Sequence, residues 1–339
     1  MHAAPEFWNH TAGPGSAPMR RALLTPVSWL YQSGAALRAA TSRAYRPAAP
    51  VICVGNVTLG GAGKTPVTMA ILKRLRERGL EAHALSRGYG GRRTGPLLVD
   101  PEKHDYRDVG DEPLLLTRVA PTWVAKSKPA GARAAVARGA KMIVLDDGFQ
   151  NPTIAKDLSL VLIDAAAGLG NGRVFPAGPL RESARSAMSR ADAVVLVSAG
   201  PDPDLRAAWR NYVPDGAPIL EVDIVPEGHG ASGEVYAFAG IARPEKFFDT
   251  LVRWGAEVIA TRSFPDHHPY TNEELKELRE AARRQNALLV TTEKDHIRIP
   301  RDLRRLVHAW PVTAQFRDMA ALDALLDRAV DAGARGAKG

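Results

Sequence analysis

Val51-Ile-Cys-Val-Gly-Asn-Val-Thr-Leu-Gly-Gly-Ala-Gly-Lys-Thr-Pro66 is the most informative segment of this 339-residue chain. Its first four residues form a short apolar run rich in β-branched side chains, which is typical of a buried strand. A glycine-rich turn follows, and a helical pattern begins at Gly63. A strand, a glycine loop and a helix in this order predict a loop that binds nucleotide phosphates.

The chemistry of such a loop lies in its backbone N–H groups and in two side chains. Glycines let successive N–H groups point at one anion, and the positive end of the helix dipole faces the same anion. Lys64 is predicted to reach the β- and γ-phosphates, and the Thr65 hydroxyl to face Mg²⁺. Thr58 stands where the strict pattern G-x-x-x-x-G-K-[ST] has glycine, and an ordinary Gly-rich turn is the alternative. The residues expected to bind the nucleotide are Thr58, Leu59, Gly60, Gly61, Ala62, Gly63, Lys64 and Thr65.

Composition limits the class of protein and its partners. The chain is 45% hydrophobic and 24% charged, which is ordinary for a globular protein, and its length suffices for two domains. Cys53 is the only cysteine, so an internal disulfide is excluded and a reducing compartment fits. A net charge of +8 and a pI near 9.7 favour an anionic partner: nucleic acid, nucleotide or a membrane surface.

The N-terminal segment carries much of the excess positive charge, because residues 1–50 contain five arginines and only one acidic residue, Glu6. A helix is predicted from Pro26 to Tyr45, with Thr25 as its N-cap. The uncharged run of this segment, from Ala22 to Leu37, is too short to be predicted as a membrane span and is interrupted by Pro26 and Gly34. An amphipathic helix lying on anionic lipid headgroups fits better, and a helix packed on the protein's own core is the alternative.

Helical patterns alternate with short, continuously apolar strands along the rest of the chain. This alternation predicts an α/β fold: a P-loop NTPase-like, doubly wound, mostly parallel sheet with a second, smaller α/β lobe and an N-terminal amphipathic helix. The predicted division is a membrane-associating helical segment at residues 1–48, a P-loop nucleotide-binding core domain at 49–228 and a smaller C-terminal α/β domain at 229–335.

Two acidic pairs are candidates for the chemistry. Asp146 and Asp147 follow a buried strand, and a carboxylate at such a strand tip is suited to stand beside the Mg²⁺ of a P-loop. Asp111 and Glu112 begin a helix, where acidic residues also serve simply as caps.

Basic residues offer further candidates. Arg87 follows the second strand, where ligands of open α/β sheets bind, so it could meet a phosphate. His267 follows Asp266 in a loop and could act as a general base, although loop packing is the commoner role of such a residue. A metal site at His267 and His268 is disfavoured, because adjacent histidines point in different directions.

Several classes of P-loop protein can be separated by their motifs. A guanine-specifying Asn/Thr-Lys-x-Asp segment is not matched by Thr292-Glu-Lys-Asp295. ATPases with a deviant loop carry a second lysine where this chain has Leu59. A small-molecule or lipid kinase, or an ATP-driven ligase, remains. Transfer to an alcohol needs a base beside the loop and the metal, and Asp111 and His267 are the candidates.

A set of motifs makes the family recognisable. They are Gly55-Asn-Val-Thr-Leu-Gly-Gly-Ala-Gly-Lys-Thr-Pro66, Ser86-Arg-Gly-Tyr-Gly90, Gly110-Asp-Glu-Pro113, Asp146-Asp-Gly-Phe-Gln150, Pro176-Ala-Gly-Pro-Leu-Arg-Glu182, Phe264-Pro-Asp-His267 and Thr291-Thr-Glu-Lys-Asp295. In this combination and order the chain resembles the tetraacyldisaccharide 4'-kinases, the lipid A kinases of the LpxK family. The family tolerates a hydroxyl residue at the position of Thr58.

The resemblance implies ATP-dependent phosphorylation of the 4'-hydroxyl of a tetraacylated glucosamine disaccharide 1-phosphate, with Mg²⁺. It implies a P-loop core, a smaller lobe joined by a β-ribbon, and attachment to the cytoplasmic face of the inner membrane of a Gram-negative bacterium. A monomer is expected, with an anionic membrane surface and no nucleic acid among its partners.

The resemblance also implies roles for site residues. Asp111 and His267 form the base pair and act with Lys64 in catalysis; Thr65, Asp146 and Glu112 lie on the metal side; Arg87, Asp147 and Gln150 bind substrate. A soluble ATPase that regulates a partner, and a membrane-tethering scaffold, are the alternatives from other classes. The first would not need Asp111 with His267, and the second would tolerate loss of Lys64.

Overall fold

The computed structural model describes residues 5–198, 200, 205–210, 212–213, 216–228 and 233–336. Their strands are β1 (Val51–Asn56), β2 (Ala82–Ser86), β3 (Leu97–Leu98), β4 (Thr122–Val124), β5 (Met142–Asp146), β6 (Leu158–Asp164), β7 (Ala193–Ser198), β8 (Ile219–Pro226), β9 (Glu234–Ala239), β10 (Glu257–Ser263), β11 (Leu288–Thr292), β12 (His308–Trp310) and β13 (Val312–Phe316). Their α-helices are α1 (Pro18–Thr41), α2 (Lys64–Glu77), α3 (Tyr106–Val109), α4 (Asp111–Leu116), α5 (Lys128–Ala137), α6 (Ala184–Met188), α7 (Leu205–Arg210), α8 (Pro244–Arg253), α9 (Asn272–Arg284), α10 (Glu293–Arg298) and α11 (Met319–Gly336).

The larger sheet has the strand order β13-β8-β7-β6-β1-β5-β2-β4-β3. The strands β4, β2, β5, β1, β6, β7 and β8 are parallel to one another, and only the edge strands β3 and β13 pair antiparallel. Every residue of β1, β5, β6 and β7 is buried, because helices cover both faces of the sheet. The predicted P-loop NTPase-like, doubly wound, mostly parallel sheet is confirmed.

Two apolar layers hold the helices on the larger sheet. On one face, Ile71 and Leu72 of α2 and Leu326 of α11 pack with Ile52 and Val54. The other face is covered by α5 and α6, whose alanines and Met188 join a second layer under the sheet. Because β1 lies between these layers, the loop that follows it leaves the sheet at a rigid point.

The smaller sheet consists of four parallel strands in the order β10-β9-β11-β12. Phe247 and Leu251 of α8 pack on one face of it, and Leu275 and Leu278 of α9 pack on the other. The predicted smaller α/β lobe is therefore present.

The C-terminal limit of this lobe is the first correction to the sequence-based division. The sequence predicts residues 229–335 in the smaller lobe, but β13 pairs antiparallel with β8 of the larger sheet. Phe316, Leu322 and Leu326 are buried in the larger lobe's core. The apolar pattern of these elements suits either sheet, so only tertiary pairing decides which one they join.

The N-terminal helix differs from its prediction at both ends. It begins at Pro18 rather than at Thr25-Pro26 and ends at Thr41, before Tyr45. The Thr25 hydroxyl donates to the Arg21 carbonyl (2.7 Å) one turn back, instead of capping a helix start. Pro26 lies inside the helix, where its ring removes one backbone donor.

Most large apolar side chains of α1 face solvent. They are Met19, Leu23, Val27, Trp29, Leu30, Tyr31 and Leu37, between 42% and 79% exposed. Ser28 attaches α1 to the body: its hydroxyl donates to the Val174 carbonyl (2.8 Å) and accepts from the Ala177 N–H (3.2 Å). Among the residues described, no helix is both long enough and apolar enough to cross a bilayer.

Candidate active site

The glycine loop connects the end of β1 to the first residue of α2, Lys64. Gly60 and Gly63 have φ angles of 122° and 74°, which L side chains rarely adopt. Thr58 forms a bridge with Leu180 and has no positive φ, so a glycine is not required there. The departure from the strict motif therefore costs the loop nothing in backbone conformation.

Asn56 holds the loop and its lysine in place, although sequence reasoning gave it no role. Its amide donates to the carbonyls of Thr58 (2.7 Å) and Gly60 (3.3 Å), and its oxygen accepts from Lys64 Nζ (3.2 Å). The signal was a polar residue ending an otherwise apolar strand. Asn56 thus fixes the lysine that is expected to meet phosphate.

Thr65 and Asp146 are the residues that fit a bound cation best. Asp146 ends β5 beside Val54 of β1, and Thr68 of α2 donates to its Oδ1 (3.4 Å). Within the described chain, the buried atoms Thr65 Oγ1 and Asp146 Oδ2 have no hydrogen-bond partner. Hard oxygen atoms left unsatisfied beside a P-loop suit Mg²⁺.

The charge of Asp146 depends on its neighbours. Burial, reinforced by the nearby carboxylates of Glu112 and Asp147, raises the pKa of Asp146 to about 7. Glu112 is half-buried, and its Oε1 accepts a hydrogen bond from Lys294 Nζ at 2.6 Å. No group of three or more His, Cys, Asp and Glu in the described ranges is arranged to hold a metal ion.

Asp147 is paired with two basic side chains, so its oxygens already have partners. Arg181 donates to both of its oxygens (2.8 and 3.1 Å), and Lys64 Nζ lies 3.9 Å away. Burial alone would raise the pKa of Asp147, but Lys64 and Arg181 outweigh it and hold the pKa below its usual value. Arg181 belongs to a motif that the sequence singled out, yet it received no role there.

The two other expected substrate residues differ in their surroundings. Gln150 is half-buried; its amide donates to the Asn56 carbonyl (3.0 Å) and to Glu182 (3.2 Å). It therefore braces the strand that leads into the loop. Arg87 follows β2 at the same edge of the sheet, and its side chain is exposed.

The structure brings Asp111 and His267 together from different lobes. Asp111 begins α4 and is 3% exposed, and its Oδ2 lies 3.3 Å from Nδ1 of the half-buried His267. Burial would raise the pKa of Asp111, but His267, Lys294 and Arg298 together hold it well below its usual value. Tyr89 packs against the His267 ring, with 5.5 Å between ring centroids.

This pair adjoins the P-loop side of the site. Glu112 is next to Asp111 in the chain, and its charge acts directly on Asp146. The glycine loop, the unpaired oxygens of Thr65 and Asp146, and the Asp111–His267 contact are therefore neighbours at the junction of the two lobes, which we call the cleft. These are the parts that phosphoryl transfer to an alcohol requires.

Comparison with known proteins agrees with this geometry. The family model of tetraacyldisaccharide-1-P 4'-kinase, LpxK, matches residues 20–331. A tetraacyldisaccharide 4'-kinase of Rhodospirillum centenum is 50% identical over 328 residues, which cover 95% of each chain. The protein of the same name from Hyphomonas neptunium is 48% identical, over 95% of this chain and 96% of its own.

A solved structure shares the whole architecture. It is the "apo" form LpxK from Aquifex aeolicus in complex with ATP, at 26% identity and a TM-score of 0.73. The match covers 92% of this chain and 100% of that one. The chain therefore belongs to the tetraacyldisaccharide-1-P 4'-kinase family, LpxK.

Proposed function

We propose that this protein transfers the γ-phosphate of ATP to the 4'-hydroxyl of a tetraacylated glucosamine disaccharide 1-phosphate, a step in lipid A biosynthesis. The observation that carries the proposal is the 3.3 Å contact between Asp111 and His267 beside a P-loop. A nucleotide hydrolase does not need such a pair, whereas a kinase uses one to orient and deprotonate its acceptor. Both lobes that form the cleft belong to one chain, which supports a monomer as the active unit.

On the nucleotide side, the backbone N–H groups of Thr58 and residues 60–65 and the Lys64 ammonium bind the phosphates of ATP. The Leu59 N–H, which the sequence included in this set, already donates to the Pro179 carbonyl (2.7 Å). Catalysis of phosphoryl transfer consists mainly of positioning and of neutralising negative charge. Lys64 suits that task because Asn56 (3.2 Å) already aims its ammonium group along the loop.

When bound, Mg²⁺ adds positive charge at the phosphate oxygens. Thr65 and Asp146 would hold it, with Glu112 as the third residue. What supports this set is that Thr65 Oγ1 and Asp146 Oδ2 are buried without a hydrogen-bond partner in the described residues. Glu112 is included because its charge contributes to the raised pKa of Asp146.

On the acceptor side, His267, paired with Asp111, receives the proton of the 4'-hydroxyl as its oxygen attacks the γ-phosphorus and the bond to the bridging oxygen breaks, releasing ADP. The negative charge of the buried Asp111 stabilises the imidazolium that forms on His267, as the aspartate of a Ser-His-Asp triad does for its histidine. Arg87 is exposed directly after the carboxyl end of β2, and its side chain meets the anionic part of the substrate. Asp147 and Gln150 contribute through their bonds to Arg181 and to the base of the loop.

The membrane enters through α1. Four acyl chains keep such a substrate in a bilayer, because burial is worth about 0.8 kcal/mol per CH₂. Exposed Trp29, Leu30 and Leu37 offer an apolar surface to the bilayer, and the arginines of residues 1–50 offer charge to anionic headgroups. The enzyme accordingly works at the cytoplasmic face of the inner membrane.

The test is transfer of radiolabelled γ-phosphate from ATP to a tetraacyl disaccharide 1-phosphate in detergent micelles. Wild type should form a phosphorylated lipid, Lys64→Ala should form none, and Asp111→Ala and His267→Ala should bind ATP without forming it. ATP hydrolysis without lipid product by wild type would point to a partner-regulated ATPase instead. Full transfer by either Ala variant of the pair would remove the assigned base.

A further inference from the structure

We propose that Arg298 is a positioning residue for the acceptor chemistry: its guanidinium fixes the Asp111 carboxylate and the His267 ring relative to each other across the two lobes. This inference rests on the roles proposed above for Asp111 and His267. Arg298 ends α10, a helix of the smaller lobe, and its side chain is 1% exposed. Neither the family motifs quoted above nor the sequence pattern assigned it a role.

The guanidinium bonds to both lobes at once. Nε (3.0 Å) and Nη2 donate to Asp111 Oδ2 of the larger lobe. On the smaller lobe, Nη1 donates to the Gly240 carbonyl (2.7 Å) and to Asp295 Oδ1 (3.0 Å). A planar fork bound at all three nitrogens has one orientation, so it holds Asp111 in one orientation.

The smaller-lobe end of this fork is itself fixed. Asp295 is fully buried and accepts from Tyr270 Oη (2.8 Å), from the Gly240 N–H (3.0 Å) and from Thr292 Oγ1 (2.6 Å). A Cβ on Gly240 would lie 2.9 Å from Tyr270 Oη and 3.1 Å from Asp295 Oδ1, so a larger residue there would displace these two side chains. These bonds hold Asp295 and Gly240 in place, so Arg298 keeps its position even if the Asp111 side chain shifts.

His267 shares an anchor with Arg298. The Gly240 carbonyl that accepts from Arg298 Nη1 also accepts from the His267 backbone N–H, at 3.0 Å. The Gly240 carbonyl oxygen therefore positions both the backbone of His267 and the guanidinium of Arg298. His267 has a φ of 60°, an uncommon conformation for a residue other than glycine, and one that its surroundings must impose.

Nδ1 of the His267 ring has a partner in either tautomer. Its Nδ1 lies 3.2 Å from Arg298 Nη2 and 3.3 Å from Asp111 Oδ2. A guanidinium only donates and a carboxylate only accepts. Unprotonated Nδ1 accepts from Arg298, and protonated Nδ1 donates to Asp111, so the ring keeps its position in either tautomer. The tautomer with its proton on Nδ1 leaves Nε2 to act as the base.

A purely structural role is the competing explanation, and the chain contains its control. Arg118, just after α4, pairs with Glu293, the first residue of α10. This pair joins α10 to the turn that follows α4, and in the described residues its hydrogen bond and ion pair involve neither Asp111 nor His267. If Arg298 only joined the lobes, loss of either arginine would have the same kind of effect.

Arg298→Lys keeps the positive charge and removes the fork. We expect its kcat for lipid phosphorylation to fall about 100-fold, the size of loss that a small misplacement of a catalytic group causes. Its KM for ATP should stay within about twofold of wild type, because the P-loop is untouched, and Arg118→Met should keep kcat within about threefold. In ¹⁵N-histidine spectra, the His267 signals, assigned with His267→Gln, should shift in Arg298→Lys and not in Arg118→Met.

Wild-type kcat in Arg298→Lys, or equal losses in both arginine variants, would overturn the inference while leaving the kinase assignment intact. Activity in Asp111→Ala or His267→Ala would instead overturn the base pair and this inference together. Should Arg298→Lys fail to fold, Asp111→Asn/Arg298→Gln, which removes both charges, is compared with Asp111→Asn alone. Identical His267 signals in those two proteins would contradict a positioning role.

Discussion

Lys294 Nζ donates to Glu112 Oε1 at 2.6 Å, so a lysine of the smaller lobe neutralises a carboxylate of the P-loop lobe. The Lys294 side chain is 30% exposed and the Glu112 side chain 21% exposed. Water therefore weakens their attraction only in part, and separating the two charges still costs free energy. The pair lies beside Arg298 and Asp111, and together these contacts join α10 to α4 at the cleft.

Replacing Lys294 with Met should therefore destabilise the protein. Glu112 would lose its cation beside Asp111 and Asp146, and we expect the free energy of unfolding to fall by about 1–2 kcal/mol after allowance for solvent screening. Urea denaturation measures this, and Lys276→Met, at an exposed lysine of α9, is the matched control. Equal stability of the two variants would show that the Lys294–Glu112 pair contributes nothing.

Lys128 gives the stability of the protein a dependence on alkaline pH. Burial lowers the pKa of Lys128 to about 8, despite the attraction of Asp146 and Asp147. The folded protein thus binds its proton less tightly than the unfolded chain, whose lysine titrates near pH 10.4. This residue destabilises the fold below pH 8, and that cost is relieved as pH rises from about 8 to about 10.4.

Lys128→Met should accordingly be more stable than wild type at pH 7, by about 1–3 kcal/mol. The difference should shrink at pH 10, when wild type has lost the buried charge. Denaturation curves at both pH values decide the matter. A difference that grew with pH would reverse the assigned sign, and Lys128 would then stabilise the fold through its bond to the Leu85 carbonyl (3.2 Å).

Gly63→Ala should damage the phosphate loop. Gly63 has a φ of 74°, and a Cβ there would lie 3.0 Å from Val197 Cγ1. We expect a loss of about 1–2 kcal/mol in stability and weaker ATP binding. Gly61→Ala is the matched control for stability, because Gly61 has no positive φ and a Cβ there would meet no atom within 4 Å. Thermal unfolding of the two variants makes the comparison, and a larger loss in Gly61→Ala would contradict it.

The surface of α1 predicts membrane binding that depends on its apolar side chains. Trp29→Asp/Leu30→Asp should bind anionic phospholipid vesicles at least about tenfold more weakly than wild type, because two exposed apolar groups become charged. Vesicle co-sedimentation measures the change. Val252→Asp, at an exposed apolar residue of α8, should bind like wild type. Unchanged binding of the double variant would assign the membrane contact to another surface.

Local signals in the sequence account for the elements that were predicted well. The run from Val51 to Val54, the glycines and Lys64-Thr65 determine strand, loop and helix through interactions within sixteen residues. The start of α1 was predicted wrongly because two prolines, Pro18 and Pro26, each suit the first turn of a helix. Thr25 before Pro26 favoured the later start, but the helix begins at Pro18. The pairing of β13 with β8 was not predicted, because the sequence of a strand does not indicate which of two sheets it joins.

Contacts between the lobes were beyond pattern reasoning. Nothing local connects Asp111 with His267, and they were paired only through a family resemblance. Arg298 carries no signal at all, because an arginine near the end of a helix is commonly a solvent-exposed charge. Its importance follows from burial and from bonds to Gly240 and Asp111, both of which are distant in sequence.

The hydrogen bonds of Ser28 have a consequence for how the enzyme meets a bilayer. They join α1 to the backbone at Val174 and Ala177, a few residues before Arg181, which binds Asp147 in the cleft. A helix attached this way is a rigid base and not a flexible tether. If α1 lies on a bilayer as proposed, these bonds would set the height and tilt of the cleft above the headgroups, and a lipid would have to rise by that distance for its sugar to reach His267.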